Sequence, residues 1–145
     1  MEIGDYSFNY DKIESVEIPN TIKRIGIFAF IGNELVNVKI PDSVIKIDYL
    51  AFSSNELEEV ILPKYIEEIG PDTFSYNKLI NIEIPDTVKK IEKEAFRYNL
   101  LTDIKRLNKN NTMIYPNGIC SMRPIRKKEE YELIYEYYNI DLYTA

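Results

Sequence analysis

The sequence predicts a solenoid of stacked coils built from short extended segments and turns, closed at its C-terminal end by a helical cap. Three observations predict it. Pro19, Pro41, Pro63 and Pro85 recur at intervals of twenty-two residues. The same register holds without a gap for Ile25, Ile47, Ile69 and Ile91, for Phe30, Phe52, Phe74 and Phe96, for Asn33, Asn55, Asn77 and Asn99, and for Leu35, Leu57, Leu79 and Leu101. Finally, "IPDSVIKIDYLAF" (Ile40 to Phe52) and "IPDTVKKIEKEAF" (Ile84 to Phe96) keep the apolar letters while the charges change, as expected where a shared interior is conserved between copies and the exterior is free.

The first element is a partial copy. Projected backward, the register catches Ile3, Phe8, Ile13, Val16 and Ile18, so the repeat is already under way at the first residues. Each full copy then reads L-x-x-V-x-I-P-x-x-V-x-x-I-x-x-x-A-F-x-x-N. Its changing spacing suits brief strands joined by turns better than a helix of constant period. Proline, which has no amide hydrogen, belongs at the strand end or corner where no ladder bond is needed. Asparagine at a fixed corner reads as a turn former whose side chain bonds nearby backbone. One copy has too few inward side chains to offset the ordering of its chain, so neighbouring copies must close one another's core.

The exact period stops after Ile104, where Leu107 stands in place of proline. Residues 1–106 are therefore assigned to the solenoid and 107–145 to a connector and cap. "LNKNNTMIYPNGICSMRP" reads as a connector with a turn at Pro116-Asn117-Gly118, and "KKEEYELIYEYYNIDLY" as a helix with Leu133, Ile134, Tyr137 and Tyr138 on one side. Six of the twelve tyrosines lie in this tail, where a ring can pack while its hydroxyl stays wet. Deleting residues 125–145 is expected to expose the last coil.

The I-P-x-S/T-V-x-x-I-x-x-x-A-F segments followed by N-x-L-x-x-V/I resemble BspA-like leucine-rich repeats over about residues 3–106. The resemblance implies a right-handed leucine-rich-repeat solenoid with short parallel strands, turns and short helical segments. It also implies a noncatalytic protein-binding role, commonly at cell surfaces. The family often carries cysteine where Asn33, Asn55, Asn77 and Asn99 stand. A chain beginning at Met1 with no export signal is expected in the cytoplasm, as an inhibitor or adaptor. If it is a fragment of a bacterial or protist adhesin, it is expected at the cell surface or secreted.

Composition narrows the function classes. The net charge is −6, and residues 1–106 carry all of it with 19 acids against 13 bases, which argues against a nucleic-acid backbone as partner. No apolar run reaches membrane-spanning length. With no histidine in the chain, Cys120 has no imidazole to activate it, and neither a cofactor nor a metal site is expected. "RPIRKKEE" (Arg123 to Glu130) reads as a solvated helix start because acids follow its bases directly. The carboxylate pairs Glu58 with Glu59 and Glu67 with Glu68 fall on outward positions, Glu67 and Glu68 next to Lys89 and Lys90 of the following copy. Charge compensation between neighbours is expected there.

Two surfaces are candidates for binding another protein, a second copy of the chain included. Stacked copies share one environment per position, so a column with charges in some copies should face solvent in all. One column reads Tyr6, Phe28, Leu50, Asp72, Glu94; the preceding one reads Asp5, Ile27, Tyr49, Pro71, Lys93. With Ile31, from the column Asn9, Ile31, Ser53, Ser75, Arg97, the residues Tyr6, Ile27, Phe28, Tyr49 and Leu50 are expected to form an exposed apolar patch. The second surface is the outward face of the L-x-x-V-x-I strand, with Asn37, Lys39, Glu59, Ile61, Asn81 and Glu83. There Glu17 is expected beside Lys39 and Glu83 beside Lys105.

Overall fold

The computed structural model describes residues 1–101 and the short strand at Met113–Ile114. Every element is a brief strand: β1 Glu2–Ile3, β2 Arg24–Ile25, β3 Asn37–Lys39, β4 Lys46–Ile47, β5 Glu59–Ile61, β6 Glu68–Ile69, β7 Lys90–Ile91 and β8 Met113–Ile114. All pairings are parallel, in the sheets β1-β2-β4, β3-β5 and β6-β7-β8. Partners lie one repeat apart, as in Arg24 with Lys46 and Val38 with Val60. Coil 1 thus spans residues 1–22, and coils 2, 3, 4 and 5 start at residues 23, 45, 67 and 89.

No helix occurs among the described residues. The short helical segments expected within the repeat are replaced by tight turns, because the return path is only a few residues long and holds proline at its start. Ile22, Val44, Ile66 and Val88 each donate to the carbonyl of the proline three residues earlier, at 3.1, 3.0, 3.3 and 3.1 Å, forming one corner of each coil. The expected helical cap lies outside the described residues. The ladder does continue past residue 106, since β8 pairs with β7 through Lys90 with Met113 and Ile91 with Ile114, an offset of twenty-three residues. A single inserted residue is enough to hide this strand from an exact twenty-two-residue register.

The core is one column of side chains per repeat position. Phe30, Phe52, Phe74 and Phe96 are fully buried. Their rings stack along the axis, with centroids 5.2, 5.6 and 5.6 Å apart and planes within about ten degrees of parallel. Ile25, Ile47, Ile69 and Ile91 form a second buried column, and Leu35, Leu57, Leu79 and Leu101 a third. Parallel, in-register stacking brings identical side chains together, which is why the apolar letters repeat.

The asparagines do more than form a turn. The Asn55 amide nitrogen donates to the carbonyls of Phe52 in its own coil and of Phe30 in the coil before, at 3.2 and 2.9 Å, while its oxygen accepts from the Leu35 amide at 3.2 Å. Asn77 and Asn99 repeat the pattern. All are buried, so each amide satisfies backbone groups that water cannot reach.

Candidate functional site

The surface ridge that carries the candidate patch is shaped by backbone conformation. Tyr6, Phe28, Leu50, Asp72 and Glu94 all have positive φ, between 52 and 59°. So do Tyr10, Gly32, Ser54, Tyr76 and Tyr98, four positions further along each coil. A left-handed residue other than glycine costs on the order of 1 to 2 kcal/mol, so surrounding contacts must hold these positions in place. Consecutive tight turns supply them. In coil 2, Ala29 donates to Gly26 and Ile31 to Phe28, at 3.2 and 3.4 Å, while the Phe28 amide reaches forward to the Tyr49 carbonyl at 3.1 Å. The equivalent bonds Tyr6 to Ile27 and Leu50 to Pro71 measure 2.9 and 3.3 Å, so the ridge is tied from coil to coil. Close approach sets one identity: a Cβ on Gly26 would come 2.7 Å from the Asp5 nitrogen and 2.8 Å from the Gly4 carbonyl carbon, where only glycine fits.

The reversal turns the Phe28 position out of the core, although its neighbours Ala29 and Phe30 are fully buried. Phe28 is half-buried between Tyr6, stacked on it at 5.0 Å, and Tyr49, edge-on at 5.6 Å. Tyr6 and Tyr49 are exposed, at 55% and 42%, and Ile27 and Leu50 are half-buried. Five of the six residues of the expected patch therefore reach the surface. Ile31 does not, because it is buried at 7%. The polar members of its column gave a false signal: Ser53 and Ser75 are also buried, their hydroxyls 2.8 Å apart, with Ser75 also donating to the Asp72 carbonyl at 2.9 Å. A serine whose hydroxyl is satisfied locally is small enough to line a core.

Toward the C-terminal coils the ridge turns acidic with Asp72 and Glu94. Partial burial, and then the neighbouring Glu94 carboxylate, raise the Asp72 carboxyl above its ordinary range. Glu94 is held 3.0 Å from Arg97. Arg97 also lies over the Tyr98 ring, 4.6 Å from its centroid, and Tyr98 packs on exposed Tyr76 at 4.6 Å. This second aromatic pair escaped the sequence reading, although Tyr10, Tyr76 and Tyr98 share one column and that column would have revealed it.

The strand face is as the alternation implies. Asn37, Lys39, Glu59, Ile61, Asn81 and Glu83 are all exposed, flanking the buried Val38, Val60 and Ile82. Glu17 and Lys39 make no ion pair among the described residues, and Lys105 lies outside them. On the neighbouring turn the expected compensation is present, with Lys89 3.0 Å from Glu67 and Lys90 3.9 Å from Glu68.

Arg24 forms a hub that the sequence did not single out. It meets Glu2 at 3.3 Å and Asp5 at 2.9 Å in coil 1, and Asp48 at 2.6 Å in coil 3. The Asp5 carboxylate also accepts from the Ile27 amide at 2.9 Å, and that bond, then Arg24, holds its pKa below the usual value.

Parallel coils, a stacked phenylalanine column and an asparagine ladder define a leucine-rich-repeat solenoid. The chain belongs to the BspA type leucine rich repeat region family, whose model matches residues 1–122 as six copies. Comparison with curated proteins and with solved structures finds no match.

Proposed function

We propose that the protein is a noncatalytic protein-interaction module that works as an adaptor or inhibitor, and that its anchor is the row Tyr6, Phe28 and Tyr49, flanked by Ile27 and Leu50. The observation that carries this reading is the aromatic row, Tyr6 and Tyr49 exposed with Phe28 half-buried between them, set on a ridge whose backbone is bonded from coil to coil. Aromatic side chains give much contact area for little conformational entropy, and a ridge held in place beforehand loses little freedom when a partner docks. The mixed polar strand face supports the same role less well, because its exposed apolar groups are separated by charges.

The test compares self-association and partner capture for the wild type, Phe28→Asp and Glu59→Lys. Loss with Phe28→Asp alone supports the ridge. Loss with Glu59→Lys alone moves the site to the strand face.

A further inference from the structure

The ridge presents side chains to a ligand and uses its main chain internally. The carbonyls of Ile27, Tyr49 and Pro71 accept from the Tyr6, Phe28 and Leu50 amides at 2.9, 3.1 and 3.3 Å, and those of Phe28 and Leu50 accept from Ile31 and Ser53 within their own coils at 3.4 and 3.2 Å. The Ile27 and Asp72 amides are engaged too, by the Asp5 carboxylate at 2.9 Å and the Lys93 carbonyl at 3.2 Å. An extended peptide laid over this row would bury its own amides and carbonyls against side chains that cannot bond them, which is costly. An α-helix satisfies its backbone internally.

The spacing of the coils also suits a helix. Equivalent rings of successive coils lie 5.2 to 5.6 Å apart in the core, and on the ridge Phe28 is 5.0 Å from Tyr6 and 5.6 Å from Tyr49. A helix rises about 5.4 Å per turn, so one lying along the solenoid axis meets one coil with each turn. Same-face residues of an extended segment are about 6.8 Å apart and fall out of step within three coils.

Charge supplies a direction. One column of the ridge passes from Phe28 in coil 2 and Leu50 in coil 3 to Asp72 in coil 4 and Glu94 in coil 5. Arg97 holds Glu94 at 3.0 Å, whereas half-buried Asp72 forms no ion pair among the described residues; Lys93, beside them, is exposed and forms no ion pair with either.

We infer that the ridge binds an amphipathic helix of a partner protein, basic in its first turn, an inference that rests on the ridge being the anchor. The helix lies along the solenoid axis, with a lysine or arginine against Asp72 and apolar side chains one and two turns later on Leu50 and Phe28, beside Tyr49. In that direction the positive end of the helix macrodipole also faces Asp72.

The probe is an alanine-based peptide of about eighteen residues, long enough to be helical, with lysine in its first turn and leucine one and two turns later on the same face. It is titrated into the full chain while amide resonances are followed. One counterpart carries glutamate for that lysine, and another carries proline at its centre, which breaks the helix. The lysine peptide is expected to shift the amides of Ile27, Phe28, Tyr49, Leu50 and Asp72 and to bind about tenfold tighter than either counterpart. Asp72→Asn should bring the lysine and glutamate peptides within about twofold of each other, and Phe28→Asp should abolish binding of all three. Tyr49→Lys, whose column already holds Lys93 in coil 5, repeats the second test at an exposed position. Equal binding by the proline peptide, or a lysine preference that survives Asp72→Asn, overturns the basic helical partner; the ridge still stands as the anchor if the ridge variants abolish that binding. Binding that survives both ridge variants overturns the two readings together. No binding by any of the peptides overturns the helical partner alone, and self-association lost with Phe28→Asp would then assign the ridge to contact between copies.

Discussion

The Asn77 amide nitrogen donates to the Phe52 carbonyl at 3.0 Å, across the boundary between one coil and the next. It also donates to Phe74 at 3.1 Å, and its oxygen accepts from Leu57 at 3.0 Å. Replacing Asn77 by Ala leaves these buried backbone groups without partners, and the expected loss of stability is about 2 to 4 kcal/mol. Chemical denaturation checks this. A loss below about 0.5 kcal/mol would mean that water reaches those groups and that the ladder is not structural.

Phe74 occupies the middle of the ring column, fully buried between Phe52 and Phe96. Phe74→Ala should cost about 3 to 5 kcal/mol, because a thin core has little material with which to fill the cavity. The same denaturation series measures it, and a loss under about 1 kcal/mol would show that neighbouring rings collapse into the space.

Asp72 gives a pH dependence with a definite sign. Its folded-state pKa is raised above the ordinary value of 3.8 by burial and by Glu94, so the folded protein favours the protonated form. That contribution is fully present below 3.8 and is lost as pH rises through the raised pKa, leaving Asp72 a net cost at neutral pH. Asp5 acts oppositely: its pKa is lowered, so its contribution is present above 3.8 and is lost as pH falls through the folded value. Asp72→Asn, which also tolerates the left-handed backbone, should therefore raise the melting temperature at pH 7, the gain shrinking toward pH 4. Thermal melts across that range decide it; an unchanged or lowered melting temperature at pH 7 would contradict the assignment.

Much of this fold was legible in the sequence because parallel in-register stacking makes burial periodic. The Ile25, Phe30, Asn33 and Leu35 columns show as one repeated letter, and the Ile22, Val38 and Ile40 columns as repeated aliphatic residues. The ridge was legible for the same reason, since acids at positions 72 and 94 mark its column as outward. What stayed hidden has physical causes. Ile31 shared a column with serines that satisfy their hydroxyls inside the protein. The left-handed positions of the ridge column carried Tyr, Phe, Leu, Asp and Glu, none of them the glycine that signals positive φ, and in the column four residues on only Gly32 is glycine. Arg24 binds residues of both neighbouring coils, and only its pairing with Glu2 falls within a single column of the repeat. β8 lies one residue out of register, beyond the reach of an exact period.

Phe28 and Phe30 are the same residue two positions apart, one on the ridge and one in the core. The most direct measurement is the denaturation midpoint of Phe28→Asp beside that of Phe30→Asp. Phe28→Asp is expected to unfold near the wild-type midpoint, since aspartate already occupies that left-handed position in coil 4, whereas Phe30→Asp should not fold, because it places an unpaired carboxylate in a dry ring column. Equal, large losses from both variants would place Phe28 in the core and remove the ridge as a binding surface.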